Sequence, residues 1–227
     1  MRRVIFLLIV TGAGLAVLIG LGSWQLQRMA WKEGILSTIE ARITAEPAGN
    51  FPTKLDRAQD KYRPVRLSGE IGNRDLFVVT SFQDVGPGFR VISPFTLADG
   101  RRILIDRGFV TVQDRSAERL RGPATISGNI HWPQEVDSYT PAPDLAAGLW
   151  YARDADAMAQ QLDTEPVMVI LNAAPQGEAR SLKPVPVDTA TIPNNHLQYA
   201  ITWFSLAAIW AAMSLYFLRR SRPEPKS

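Results

Sequence analysis

Two long apolar runs bracket a mixed interior. Val4–Leu21 is 18 residues without a charge, and Leu197–Leu218 is 22. At about 1.5 Å per residue, either run as a helix covers the roughly 30 Å hydrocarbon core of a bilayer. Beyond Trp24 the pattern turns amphipathic. Ile35, Leu36, Ile39 and Ile43 recur at three- and four-residue steps, which predicts that the first helix runs on as a stalk to about Arg42. Pro47, Gly49 and Pro52 end it. The period then changes. RPVRLSGEI (63–71), LFVVTSF (76–82), FRVISPFTL (89–97), RRILIDRGFVTV (101–112), ATISGNIHW (124–132) and PVMVILNA (166–173) read as strands. Gly86-Pro87-Gly88 reads as a turn, and Ala98-Asp99-Gly100 as a hairpin loop. DADAMAQQL (154–162) reads as one short helix. Short strands at spacings near ten residues predict an antiparallel, largely β domain.

The fold class expected is thus a membrane protein, with two transmembrane α-helices (N- and C-terminal) flanking an antiparallel β-rich α+β domain. The expected boundaries are a tail at 1–3, helix at 4–26, helical stalk at 27–46, β-rich domain at 47–193, helix at 194–218 and tail at 219–227.

Charge orients this arrangement. Arg2 and Arg3 precede the first run; Arg219, Arg220, Arg222 and Lys226 follow the second, opposed by Glu224. Basic flanks predict cytoplasmic tails. Residues 28–193 hold 19 Lys/Arg against 21 Asp/Glu, so the central domain is expected on the far side. That is the periplasm, with the chain in a bacterial inner membrane, or the intermembrane space in a mitochondrion. The net charge of +3 comes from the tails and reads as a topology signal, not a nucleic-acid footprint. A cleaved signal peptide is the rival reading of the first run. No A-x-A-like site follows it and the stretch is long for a signal core, which favours a retained anchor. There are no cysteines, which removes disulfide scaffolding, CxxC redox chemistry and thiolate metal sites.

Catalytic signatures are missing. The chain has no G-x-S-x-G, H-E-x-x-H, P-loop or dinucleotide turn. Two histidines, His131 and His196, are too few and too far apart for a dense metal site. His131, late in a strand beside Trp132, reads as a surface or rim residue. Asp106-Arg107 reads as a strand-end ion pair or a loop anchor. The chain is therefore expected not to be an enzyme, although a hydrolase using a carboxylate pair such as Asp106 with Asp114 stays open.

His196 differs because of its place: it opens the second apolar helix in Pro193-Asn194-Asn195-His196. An ionisable side chain at the bilayer edge invites a functional explanation, against the plainer reading that it snorkels or helps cap the helix. His196, Tyr199 and Trp203 fall at i, i+3 and i+7; Trp24, Arg28 and Trp31 at i, i+4 and i+7 of the first helix. Antiparallel helices bring both sets to one interface. Together they offer an imidazole, flat aromatic faces and a cation, a contact set suited to haem, with Arg28 or Lys32 for the propionates. An interfacial aromatic belt explains the same aromatics. Gly12, Ala16 and Gly20, with Ala207/Ala211 and Ala208/Ala212, form small-residue stripes that allow close approach of the helices to each other or to a partner.

LGSWQLQRMAWKEGIL (21–36), RPVRLSGEI (63–71), VISPFTLADGRRILIDRGFV (91–110) and NNHLQYAITWFSLA (194–207) resemble the surfeit-locus-one (Surf/Shy) family. That family contains assembly factors for haem-copper cytochrome c oxidase. The resemblance implies a two-helix membrane protein that helps deliver or stabilise haem a during assembly of oxidase subunit I, alongside other assembly factors. It implies His196 as the axial ligand of the haem iron, with Trp24, Arg28, Trp31, Tyr199 and Trp203 as further contacts. Asp106-Arg107-Gly108-Phe109 departs from the family's usual Asn-Arg-Gly-Trp, and Thr111 stands where Pro is common. A scaffold that grips an oxidase subunit without touching haem is the alternative, and a homo-oligomer is left open.

Overall fold

The computed structural model describes residues 2–190 and 192–220. Arg222, Glu224 and Lys226, on which part of the topology argument rests, lie outside them, as does the side chain of Arg3. The chain divides into two compact units, one built from residues up to Thr38 with those from Thr189 onward, the other from Ile39–Asp188.

The first unit is helical. Helix α1 (Arg2–Ile43) is continuous for 42 residues, about 63 Å at the α-helical rise. No proline interrupts it, and the expected stalk is an unbroken extension of the apolar run. Helix α4 (His196–Arg220) starts three residues after Pro193. Both helices are long and apolar enough to cross a membrane.

The second unit is a barrel. Its elements in order are α2 (Arg57–Asp60), β1 (Pro64–Ile71), β2 (Leu76–Phe82), β3 (Gly86–Leu97), β4 (Arg102–Thr111), β5 (Gly122–His131), β6 (Leu149–Trp150), α3 (Ala155–Leu162) and β7 (Met168–Leu171). Strand order runs β1-β5-β7-β4-β3, and a further β1–β3 pairing closes the ring. β2 and then β6 extend from β3 outside it. Closure removes two free edges that an open sheet would expose. It needs backbone contact at Gly69, where a Cβ would lie 2.2 Å from the Thr96 carbonyl oxygen.

Alternation along the strands builds two cores. Val65, Leu67, Phe95, Ile103, Ile105, Ile126, Ile130 and Val169 fill one. Leu104, Met168 and Ile170 turn the other way and pack with Ile92 against α3. Helix α3 is capped by Asp154, which accepts from the Ala157 amide at 3.0 Å. It buries Ala155, Met158, Ala159 and Leu162 on one face. Full burial of one such large side chain stabilises by roughly 2–3 kcal/mol. β4 is covered on both sides, and Ile103–Val110 are all buried, Asp106 and Arg107 among them.

The Ala98-Asp99-Gly100 loop forms as expected. Gly100 takes a positive φ of 86°, and Asp99 Oδ1 accepts from the Arg101 amide at 3.0 Å. Two expectations need correction. Gly86-Pro87-Gly88 is not the turn: these residues pair with Phe82, Ser81 and Thr80 inside β3, and the chain reverses at Gln83–Val85. Pro87 is tolerated there because β4 pairs with β3 only from Gly88 onward, so Gly86 and Pro87 have one unpaired side. The sheet is not wholly antiparallel, since β4–β7 and β2–β6 pair parallel. The crossover through α3 brings β7 in alongside β4, which a hairpin cannot do. Finally, α2 and β6 are too short to leave a periodic signature.

Candidate functional site

In the helical unit the two helices meet along a single seam. On α1 the inward line is Gly14, Leu18, Gly22, Gln25, Met29 and Lys32, at steps of four or three residues; on α4 it is His196, Ala200, Trp203, Ala207 and Ala211. Gly14 and Gly22 make the approach possible. A Cβ at Gly14 would lie 2.7 Å from Trp210 Nε1, and one at Gly22 2.7 Å from the Phe204 ring. Trp210 Nε1 donates to the Thr11 carbonyl at 3.3 Å. The stripe of Gly12, Ala16 and Gly20 faces away from α4; a Cβ at Gly12 or Gly20 meets nothing within 4 Å. On α4, Ala207 and Ala211 lie on the seam, whereas Ala208 and Ala212 are exposed. The large rings of α4 need glycines opposite them, and that choice of partner sets the rotational phase of α1.

At the stalk end of this seam the lining becomes polar. His196 is half-buried, and its Nδ1 lies 2.7 Å from Gln25 Oε1 on the facing helix. An amide oxygen accepts only, so Nδ1 is the donor of this pair, and in a neutral ring Nε2 is then the nitrogen with the lone pair. One turn further along α1, Lys32 Nζ donates to the Pro193 carbonyl in the segment leading into α4. Asn194 Oδ1 is buried without a partner among the described residues; it does not serve as a helix cap.

The other sequence-predicted contacts separate into two groups. Trp203 shares the inward line with His196. Trp24 and Trp31, each 54% exposed, and Tyr199 at 56% stand on the outer faces beside the seam. Arg28 is exposed too, with its guanidinium stacked 3.8 Å from the centre of the Trp31 ring. Sequence reasoning missed Gln25. Its signal was its position, three residues after Gly22 and seven before Lys32, on the same line as the small residues.

The barrel unit holds buried charge, but in a structural arrangement. A bulge between Val91 and Ile92 leaves Arg107 as the extra residue of β4. Its side chain is fully buried and paired with the equally buried Glu178, and Ser93 Oγ lies 3.4 Å away. Burial lowers the Arg107 pKa, with Glu178 opposing the shift. Asp75 accepts from Arg121, Ser93 and Arg119. Burial pushes its carboxyl up, but those hydrogen bonds outweigh burial and hold it below the ordinary value. On the other side of the bulge, Asp106 is clamped by Arg90 at 2.7 Å and Arg153 at 3.0 Å. Asp114 bonds to Thr111. Asp106 and Asp114 are thus each held by other groups, and no facing carboxylate pair forms between them. Gly108, at φ 115°, lets Lys183 approach; a Cβ there would lie 2.1 Å from the Lys183 carbonyl oxygen. His131 stands at the end of β5 as expected, but half-buried, stacked on Tyr62 with ring centres 5.2 Å apart. Burial first, then Lys61 and Arg153, lowers its pKa to about 4. Among the described residues, no three His, Cys, Asp or Glu side chains group to hold a bare metal ion.

Comparison with known proteins adds to this geometry. The family model described as "SURF1 family" matches residues 13–208. Surfeit locus protein 1 of Rattus norvegicus is 30% identical, over 92% of this chain and 74% of its own length. Surfeit locus protein 1 of Homo sapiens is 28% identical over 91% and 75%. A SURF1-like protein of Monosiga brevicollis is 33% identical over 90% and 84%.

Proposed function

The chain belongs to the SURF1 family, and from that premise we propose that it is an assembly factor for haem-copper cytochrome c oxidase. In this reading it holds haem a at the outer membrane face and aids its insertion into subunit I, with other assembly factors as partners. It acts as a chaperone for the cofactor, not as an enzyme. Helices α1 and α4 span the membrane, surrounded by lipid. Their basic flanks keep both ends in the cytoplasm, and the barrel lies in the periplasm of a bacterial inner membrane. In a eukaryote the equivalent place is the mitochondrial inner membrane.

The observation that carries the haem part is His196: an imidazole half-buried in the seam of two apolar helices, with its Nδ1 turned to Gln25 so that Nε2 is the nitrogen left to ligate. That donor fits a haem iron, which the family resemblance implies as cargo. Trp203 on the same line and the outer faces of Trp24, Trp31 and Tyr199 supply flat surfaces of the kind a porphyrin stacks on. Arg28 supplies an exposed cation for a propionate, while Lys32 is already engaged by Pro193. Haem, when bound, would supply an iron able to take a nitrogen ligand from His196. A single imidazole at a lipid-facing seam suits a carrier, which must release what it holds.

The test is the absorption spectrum of the detergent-purified protein expressed alongside haem a synthesis. His196→Ala is expected to lose the Soret and α bands while keeping the wild-type circular dichroism. Unchanged bands in that variant reject His196 as ligand. A colourless wild type rejects haem binding and leaves a scaffold for oxidase assembly.

A further inference from the structure

We infer that Gln25 is the positioning residue of the haem site: it fixes the tautomer and orientation of His196, so that Nε2 is the nitrogen offered to the iron. This rests on the haem reading above. The two side chains come from different helices, 171 residues apart in sequence, and meet at 2.7 Å. Gln25 is itself held, since it lies on the inward line between buried Gly22 and half-buried Met29, and Gly22 packs on Phe204.

The chemistry follows from which atoms meet. Neutral imidazole has one N–H and one lone pair. With Gln25 Oε1 accepting, the N–H is confined to Nδ1, and the ring is held against rotation about χ2. In water the other tautomer is the commoner one, with Nε2 protonated and unable to ligate. An acceptor on the remote nitrogen also raises the basicity of the ligating one. Gln25 can do this in an apolar seam where a carboxylate would be costly. An amide oxygen is a weaker acceptor than a carboxylate, so the iron is held less firmly than by a histidine backed by a carboxylate. That is the balance a carrier needs. The same contact ties cargo to helix pairing, because it forms only while α1 and α4 lie together.

The experiment has one arm without haem and one with it. In the haem-free full chain in detergent micelles, ¹⁵N NMR of labelled histidine reports the His196 tautomer. Wild type is expected to show Nδ1 protonated and Nε2 bare, and Gln25→Leu to revert towards the Nε2-protonated form. In the second arm the proteins are expressed with haem a synthesis. Gln25→Leu is expected to hold haem a about 10–100-fold more weakly. Gln25→Glu should restore binding and move the reduction potential of the bound haem to more negative values, an effect that helix packing alone does not produce. A wild-type His196 protonated on Nε2 overturns the inference, whatever haem does. So does a Gln25→Leu variant with unchanged haem affinity. If Gln25→Leu fails to fold, the wild-type tautomer and the potential of Gln25→Glu still decide. Failure of the haem reading is separate: it shows as a colourless wild type, while the haem-free arm still reports on Gln25.

Discussion

Replacing Glu178 by alanine isolates the most exacting piece of electrostatics in the barrel. Its carboxylate serves four donors. Oε2 accepts from two nitrogens of Arg107, and Oε1 accepts from the amides of Leu120 at 3.1 Å and Ala179 at 2.9 Å. Both side chains of the ion pair are fully buried. Removing the carboxylate strands the Arg107 guanidinium. Its next carboxylate, Asp75, is 4.0 Å away and already engaged by Arg119 and Arg121. Breaking one side of a buried pair costs about 3–5 kcal/mol, because a charge is left uncompensated. Removing both sides is far cheaper, since the desolvation of two ions disappears with their attraction. Glu178→Ala is therefore expected to destabilise by about 3–5 kcal/mol, and Arg107→Met with Glu178→Leu together by less than Glu178→Ala alone. Urea titration of the full chain in micelles, followed by its β-sheet circular dichroism, gives both numbers. A cost below about 1 kcal/mol for Glu178→Ala, or additive single-site effects in the double variant, would refute the reasoning.

Two further outcomes are expected. His131 stays neutral in the fold down to about pH 4, whereas the unfolded histidine protonates near its ordinary value. Stability should thus fall as pH drops from about 6.5 to 4, by roughly 2–3 kcal/mol once solvent access to the ring is allowed for. Asp75 and Glu135, both held below the ordinary carboxylate values, lose their contributions only at lower pH. Urea midpoints for His131→Phe that shift with pH as much as wild type over that window would contradict this. In the helical pair, Gly22→Ile should splay α1 from α4, while Gly20→Ile should leave the pairing intact. Resonance energy transfer between labels on the two helices separates the cases, and equal effects at both positions would show that the seam does not run through Gly22.

Much of the architecture was legible because it is local. Charge-free runs of helical length, the unbroken stalk pattern and the D-G hairpin are set by residues a few positions apart. The same holds for strand positions: β2 falls on 76–82 as read from its β-branched and aromatic residues. His196 stood out for a local reason as well, being an ionisable group at the start of an apolar helix.

The rest depended on partners far away in the chain. Alternation says which face of a strand is apolar but not which strand lies beside it, so the β1–β3 closure and the parallel seating of β7 between β4 and β5 had no local signature. Helical periodicity groups Trp24, Arg28 and Trp31 on one face, and Gln25, Met29 and Lys32 on the next, about 100° round the helix. Which of the two meets α4 was decided by where Phe204 and Trp210 find glycines to pack on. The sequence by itself thus determined the elements and the histidine. Tertiary packing chose the amide that faces it, because steric fit between two helices is a property of neither helix alone.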